Sequence, residues 1–163
     1  MAHSNIWKDK LVLAVDDEED VLETLRDLLP ESEMTLHTAT TFETARELLA
    51  SYSYDLVILD IMGVRGFDLL DLAVNRGFKV VMLTAHSLDV ESLKRSLDMK
   101  ARGYIPKDKL GDITSFLEDA LTYEYMPGWK RLLERLKSFF DSSFESDWEK
   151  KIGASWRELG RPT

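Results

Sequence analysis

The feature that most constrains this chain is the alternation of short, unbroken apolar runs with segments of helical periodicity. Leu11-Val12-Leu13-Ala14-Val15, Leu56-Val57-Ile58-Leu59 and Lys79-Val80-Val81-Met82-Leu83-Thr84 carry continuous rather than alternating hydrophobicity. That is the pattern of strands covered on both faces. Met34 to Ala39 alternates and predicts a weaker strand, and Gly103-Tyr104-Ile105-Pro106 predicts a short one. Between these runs, apolar residues recur at three- and four-residue intervals. Val21, Leu22, Leu25, Leu28 and Leu29 make one helical face that stops at Pro30, and Phe42, Ala45, Leu48 and Leu49 make another, opened by Thr40 or Thr41 as N-cap. A third helix runs from Phe67 to Val74 and ends at Asn75-Arg76-Gly77. A fourth is built around Leu88, Leu93 and Leu97. The last holds Ile113, Phe116, Leu117, Ala120 and Leu121, capped by Asp112. Five strand-then-helix units require parallel pairing, because parallel strands need a crossover connection. The expectation is a three-layer α/β sandwich around a five-stranded parallel sheet.

Several function classes are excluded on composition. The 163 residues include no cysteine, so there is no disulfide framework and no thiolate metal site. No apolar run approaches the roughly 18 residues expected of a membrane span. The apolar stretch near the N-terminus is too short for a signal peptide and runs into Asp16-Asp17-Glu18-Glu19-Asp20. A soluble, cytoplasmic protein is expected. The formal charge of −9 is unevenly spread: residues 126–163 carry eight Lys/Arg against six Asp/Glu, and the preceding 125 carry thirteen against twenty-four. An acidic body without a basic stripe argues against nucleic-acid binding, which needs positive charge against phosphate.

In an open α/β sheet, ligands bind beyond the carboxyl ends of the strands. The first run ends in Asp16-Asp17, the third in Asp60 and the fourth in Thr84, and the fifth is followed by Lys107. Taken singly, Thr84 reads as an N-cap, Lys107 as a solvated surface residue, and Asp16 and Asp17 as complements to a helix N-terminus. Asp60 is harder to dismiss, since it closes the most apolar strand, where desolvation makes charge costly. The conjunction of polar strand ends on one edge argues for a site. Clustered carboxylates without His or Cys suit a hard cation, and Mg²⁺ fits best: it binds through one or two carboxylates, keeps waters and takes phosphate oxygens as further ligands. Lys107 offers a point charge for a phosphoryl group, Thr84 a hydroxyl donor, and Asp60 a nucleophile able to form an acyl phosphate.

With these residues in place the chain resembles a bacterial response-regulator receiver domain, through "LVLAVDDEEDV", "YDLVILD", "VVMLTAH" and "ARGYIPKD" in that order. Asp60 lies 43 residues after Asp17, and Lys107 lies 23 after Thr84. The resemblance covers about residues 10–125. It implies a flavodoxin-like strand order 2-1-3-4-5, Asp60 as phosphoacceptor, and Mg²⁺ held by Asp16, Asp17, Asp60 and the backbone carbonyl of Met62. It also implies Thr84 and Lys107 as contacts for the phosphoryl oxygens, Ala85 as the small residue that leaves the phosphoryl group room, and Tyr104 as the aromatic that turns inward when Thr84 moves. Read by itself, Tyr104 is equally an ordinary half-buried tyrosine. The implied partner is a histidine kinase or phosphotransfer protein, and the implied role that of a phosphoacceptor signalling protein rather than an enzyme. In such domains the positions two after the acceptor and two after the threonine tune hydrolysis; here they are Met62 and His86. His86 reads more simply as a solvent-facing residue at a helix start.

The chain departs from the family pattern in places. Val64 stands where proline is usual and Asp68 where glycine is, so that Gly66 is the corresponding glycine and the loop is about two residues shorter. Asp108 replaces the proline that usually follows the lysine, so no cis peptide is expected there. A phosphorylation-independent interaction module is the alternative these departures suggest. An aspartate-nucleophile phosphatase fits less well, because Met62 occupies the position of its second aspartate.

Residues 1–125 are read as the receiver and 126–163 as a helical extension with no effector domain. After Pro127-Gly128, Trp129, Leu132, Leu133, Leu136, Phe139 and Phe140 define an amphipathic helix. Phe144, Trp148, Ile152 and Trp156 mark a weaker second one. The first helix either packs back on the receiver body or on a second copy, or serves through residues 129–140 as a docking helix for a partner, for which aromatic anchors are suited.

Overall fold

The computed structural model describes residues 5–85 and 89–159, with side chains described from Ile6 to Ala85 and from Asp89 to Gly153. Leu88 and His86 lie outside the described residues, and the side chain of Trp156 outside the described side chains. Strands β1 (Leu11–Val15), β2 (Thr35–Ala39), β3 (Leu56–Asp60), β4 (Val80–Thr84) and β5 (Gly103–Pro106) form one sheet in the order β2-β1-β3-β4-β5, with every pairing parallel. This is the expected flavodoxin-like order. Each residue of β3, β4 and β5 is buried, whereas β2, an edge strand, is only partly buried.

The flanking helices are α1 (Glu19–Leu28), α2 (Phe42–Ser51), α3 (Gly66–Asn75), α4 (Val90–Asp98) and α5 (Ile113–Thr122), followed by α6 (Tyr125–Ser143) and α7 (Trp148–Leu159). Thr41 rather than Thr40 caps α2, its hydroxyl accepting from the Thr44 amide. Asp112 stands at the start of α5, but its side chain makes no capping bond. A 3₁₀ turn over Lys107–Asp112 delivers the chain to the helix instead. All described peptide bonds are trans, including that between Lys107 and Asp108.

The tail helix begins earlier than its apolar pattern suggests. Pro127 and Gly128 lie inside the first turn of α6, where proline removes an amide that has no intrahelical acceptor anyway. Its apolar face is consumed within the chain: Trp129, Leu132, Leu133, Leu136 and Phe140 are buried in the same cluster as the sheet. The Trp129 indole donates to the Ala101 carbonyl at 2.7 Å, and the Tyr125 hydroxyl donates to the Leu97 carbonyl. Arg135 bridges α6 to α5, pairing with Asp119 at 2.7 Å and lying over the Phe116 ring. Residues 129–140 therefore do not present a free apolar docking face. They cover the edge strand β5, whose unpaired backbone would otherwise invite association.

At the opposite end of the sheet, Tyr54 is buried before β3, with its hydroxyl 2.8 Å from His37 Nδ1 and its ring edge-on to Phe78. Burial pushes this phenol up from 10 to about 12. The folded chain thus keeps a proton that the unfolded chain loses, and wild type sheds stability as pH rises between those values. Tyr54→Phe removes this liability together with the His37 contact. The variant is expected to be about 1 kcal/mol less stable near neutral pH. Its deficit should close as pH rises towards about 12, read from urea melts at several pH values. A deficit that stays constant would contradict the burial argument.

Candidate functional site

The parallel register builds the site. Val15 lies opposite Leu59, so the next residues, Asp16 and Asp60, emerge side by side from adjacent strands. Asp60 lies opposite Leu83 and Thr84 opposite Pro106, which brings Thr84 and Lys107 to the same edge. Among the described residues the buried polar side chains are Asp16, Asp60, Thr84 and Ser96, with Asp16 only 1% and Asp60 4% exposed. Three of the four therefore belong to this one edge.

Lys107 ties the carboxylates together. Its ammonium lies 2.9 Å from Asp16 Oδ2, 2.9 Å from Glu18 Oε1 and 3.1 Å from Asp60 Oδ1. The other oxygens are held by backbone: Asp16 Oδ1 accepts from the Glu18 amide at 2.9 Å, and Asp60 Oδ2 from the Gly63 amide at 3.1 Å. Burial raises the Asp16 carboxyl above the ordinary aspartate value despite Lys107 and the Glu18 amide, and the nearby charge of Asp60 adds to the rise. Burial pulls the Lys107 ammonium down, but pairing with Asp16 and Glu18 and the charge of Asp60 outweigh it, so its pKa is raised. Lys107 is thus fully charged at any physiological pH.

The donor set fits a hard cation. Asp16, Asp17 and Glu18 can each place a carboxylate oxygen within 4.8 Å of the others. Asp16 Oδ2 is buried and receives no hydrogen bond of good geometry, its ion pair with Lys107 apart. A buried carboxylate oxygen without a hydrogen bond is suited to a metal. Asp17 is exposed, and its carboxylate lies so close to Gly63 that a Cβ there would collide with it. The Met62 side chain is 73% exposed, and its carbonyl accepts a long bond from the Arg65 amide at 3.4 Å.

The compact loop after Asp60 has a physical reason. Gly66, which opens α3, donates to the Ile61 carbonyl at 3.0 Å and lies against the backbone of Asp60 and Ile61, leaving no room for a side chain. Arg65 takes a left-handed conformation, φ 57° and ψ 53°, to make this approach. Its guanidinium lies 4.0 Å from the centroid of the Phe42 ring, while Val64 turns into the core. The loop is folded back on β3 rather than extended outwards.

Tyr104 is fully buried rather than half-buried. Its hydroxyl lies 2.6 Å from Ser92 Oγ and donates to the Asp89 carbonyl at 3.3 Å. Two participants had no sequence signal strong enough to single them out. Glu18 merely extends an acidic run at a helix start, and only the fold carries Lys107 to it. Ser92 meets Tyr104 solely because α4 packs beside β5.

No curated protein sequence matches the chain. The family described as the response regulator receiver domain matches residues 12–118, from β1 into α5, a stretch that contains every site residue above and stops before α6. Solved structures share the fold. A response regulator from Thermotoga maritima is 19% identical with a TM-score of 0.63, over 71% of this chain and 99% of its own. A two-component response regulator from Clostridium difficile is 21% identical with a TM-score of 0.63, over 69% and 96%. The signal receiver domain of an HD domain-containing protein from Pseudomonas fluorescens is 25% identical with a TM-score of 0.62, over 74% and 91%. With β1 to α5 matched by the family and the sheet order shared with these structures, the chain belongs to the response regulator receiver domain family of two-component systems.

Proposed function

We propose that this chain is a phosphoacceptor response regulator, phosphorylated on Asp60 by a histidine kinase or phosphotransfer protein in a cytoplasmic two-component or phosphorelay pathway. The observation that carries this reading is a nearly buried carboxylate, Asp60, held 3.1 Å from the ammonium of Lys107, with Asp16 and Glu18 on the same ammonium. A carboxylate oxygen of Asp60 bonds to phosphorus as the bond from phosphorus to the donor nitrogen breaks. The electron pair returns to that nitrogen, which leaves as part of a neutral imidazole after taking a proton from solvent. The Gly63 amide orients the attacking carboxylate. Lys107 offsets charge on the phosphoryl oxygens, and the Thr84 hydroxyl donates to one of them.

Asp16, Asp17, Asp60 and the Met62 carbonyl would hold Mg²⁺, with Glu18 within reach of the same ion. Bound there, Mg²⁺ would offset the negative charge of the arriving phosphoryl group. The protein assists its own phosphorylation and dephosphorylation without turning over a separate substrate. Residues 1–125 act as the receiver and 126–163 as an extension, and the output is protein–protein contact.

A phosphorylation-independent module is the second reading. The ion pairs that Lys107 makes with Asp16, Glu18 and Asp60 favour it, since they hold the carboxylates in place without a metal. Incubation with acetyl phosphate and Mg²⁺ separates the two. Intact-mass measurement is expected to show one added phosphoryl group on wild type and none on Asp60→Asn. A wild type that stays unmodified selects the second reading, and modification of Asp60→Asn rejects Asp60 as acceptor.

Gly63→Ala tests the metal assignment. A Cβ at this position displaces the Asp17 carboxylate. Mg²⁺ affinity by calorimetry is expected to fall by roughly tenfold to a hundredfold, the range seen when support of a metal ligand is lost. Retained affinity in a folded variant would remove Asp17 from the ligand set.

A further inference from the structure

Glu18 carries a carboxylate that its own helix does not use. It occupies the N-cap of α1, where a side-chain oxygen usually accepts from an amide of the first turn, yet it makes no such bond. Its side chain reaches instead to the far end of the chain's fifth strand and meets the Lys107 ammonium at 2.9 Å, across 89 positions. Its backbone amide meanwhile donates to Asp16 Oδ1 at 2.9 Å. One residue thus holds an aspartate through its main chain and that aspartate's lysine partner through its side chain.

Lys107 lies on the oxygens that a metal would need. Asp16 Oδ1 and Asp60 Oδ2 accept from the Glu18 and Gly63 amides. The oxygens free of amide bonds are Asp16 Oδ2 and Asp60 Oδ1, and the ammonium is 2.9 Å from the first and 3.1 Å from the second. Ligation of Mg²⁺ through these oxygens requires the ammonium to withdraw, because two cations on one carboxylate oxygen repel strongly where solvent screening is weak. Asp16 and Asp60 are both buried and offer the ammonium no solvated position. The Glu18 side chain is 59% exposed and is the most solvated of its three partners.

We propose that Glu18 is a positioning residue for Lys107: it retains the ammonium at the mouth of the site when Asp16 and Asp60 bind Mg²⁺, and so favours metal binding without being a ligand. With Glu18 in place, Lys107 keeps one carboxylate partner as it gives up the other two. Without it, Asp16 and Asp60 are the carboxylates left to the ammonium, and Lys107 competes with the ion for both. Retention on Glu18 also keeps the ammonium near Asp60, where a phosphoryl group arrives. The Glu18 carboxylate is thereby assigned to the lysine rather than to the ion within whose reach it lies. This inference rests on the reading of this edge as a Mg²⁺-dependent phosphoacceptor site.

A double-mutant cycle read by Mg²⁺ calorimetry on the full-length chain, without phosphodonor, separates the two roles. Glu18→Gln keeps the amide that holds Asp16 and removes no helix cap. In the wild-type background it is expected to lower Mg²⁺ affinity roughly fivefold to tenfold, a size ordinary for coupled neighbours. In the Lys107→Met background the same substitution should change affinity by no more than about twofold, the effect of one exposed charge. A similar fall in both backgrounds makes Glu18 a metal ligand and overturns the inference, as does an unchanged affinity in the wild-type background. If Lys107→Met does not fold, the rate of mass gain from acetyl phosphate at saturating Mg²⁺ decides. Glu18→Gln should stay roughly fivefold slower than wild type, because saturation restores a weakened metal site but not the position of the lysine. Equal rates there overturn the inference. Wild type that binds Mg²⁺ but gains no phosphoryl group fails the phosphoacceptor reading alone, and the calorimetric cycle still decides the role of Glu18. Wild type that binds no Mg²⁺ overturns the inference whatever the mass shows.

Discussion

The Lys107 ammonium, shared among Asp16, Glu18 and Asp60, is the interaction on which the rest of the site depends. Two nearly buried carboxylates on adjacent parallel strands repel each other and are both desolvated. Without a cation between them the carboxyl edge of the sheet would be destabilised. Lys107 can reach them because β5 ends one residue earlier, at Pro106, and the following 3₁₀ turn keeps the lysine over the strand ends. Its raised pKa and the raised pKa of Asp16 are opposite sides of one arrangement: pairing outweighs burial for the lysine, and burial outweighs pairing for the aspartate.

The loop from Gly63 to Gly66 serves the same arrangement from the other side. Gly63 gives its amide to Asp60 and clears space for the Asp17 carboxylate, while Gly66 lets α3 start directly against the backbone of Asp60. The residue with left-handed geometry, Arg65, is stabilised from outside by the Phe42 ring.

The extension changes how the far edge of the sheet meets its surroundings. An edge strand is ordinarily half-covered, yet every residue of β5 is buried, because α6 lies along it. Tyr104 thereby has packed neighbours on both sides: α4 through its hydroxyl and Phe140 through its ring. Tyr104 therefore joins α4 to the tail helix α6.

Much of this was legible in the residues themselves. Short continuous apolar runs read as strands covered on both faces, and their alternation with helical periodicity reads as parallel pairing. Parallel strands in turn deliver Asp16, Asp60, Thr84 and Lys107 to one edge. These conclusions rest on local periodicity, which a sequence displays directly. The sequence could not decide which way Tyr104 turns, that Glu18 joins Lys107 across 89 positions, or that α6 spends its apolar face on β5. Each of those depends on which elements become neighbours and on the space left between them. An amphipathic face is the same pattern whether it meets the chain's own sheet or a partner, and a carboxylate in an acidic run is the same residue whether solvated or paired. Only tertiary packing supplies the neighbour, and the neighbour fixes the charge balance and the burial.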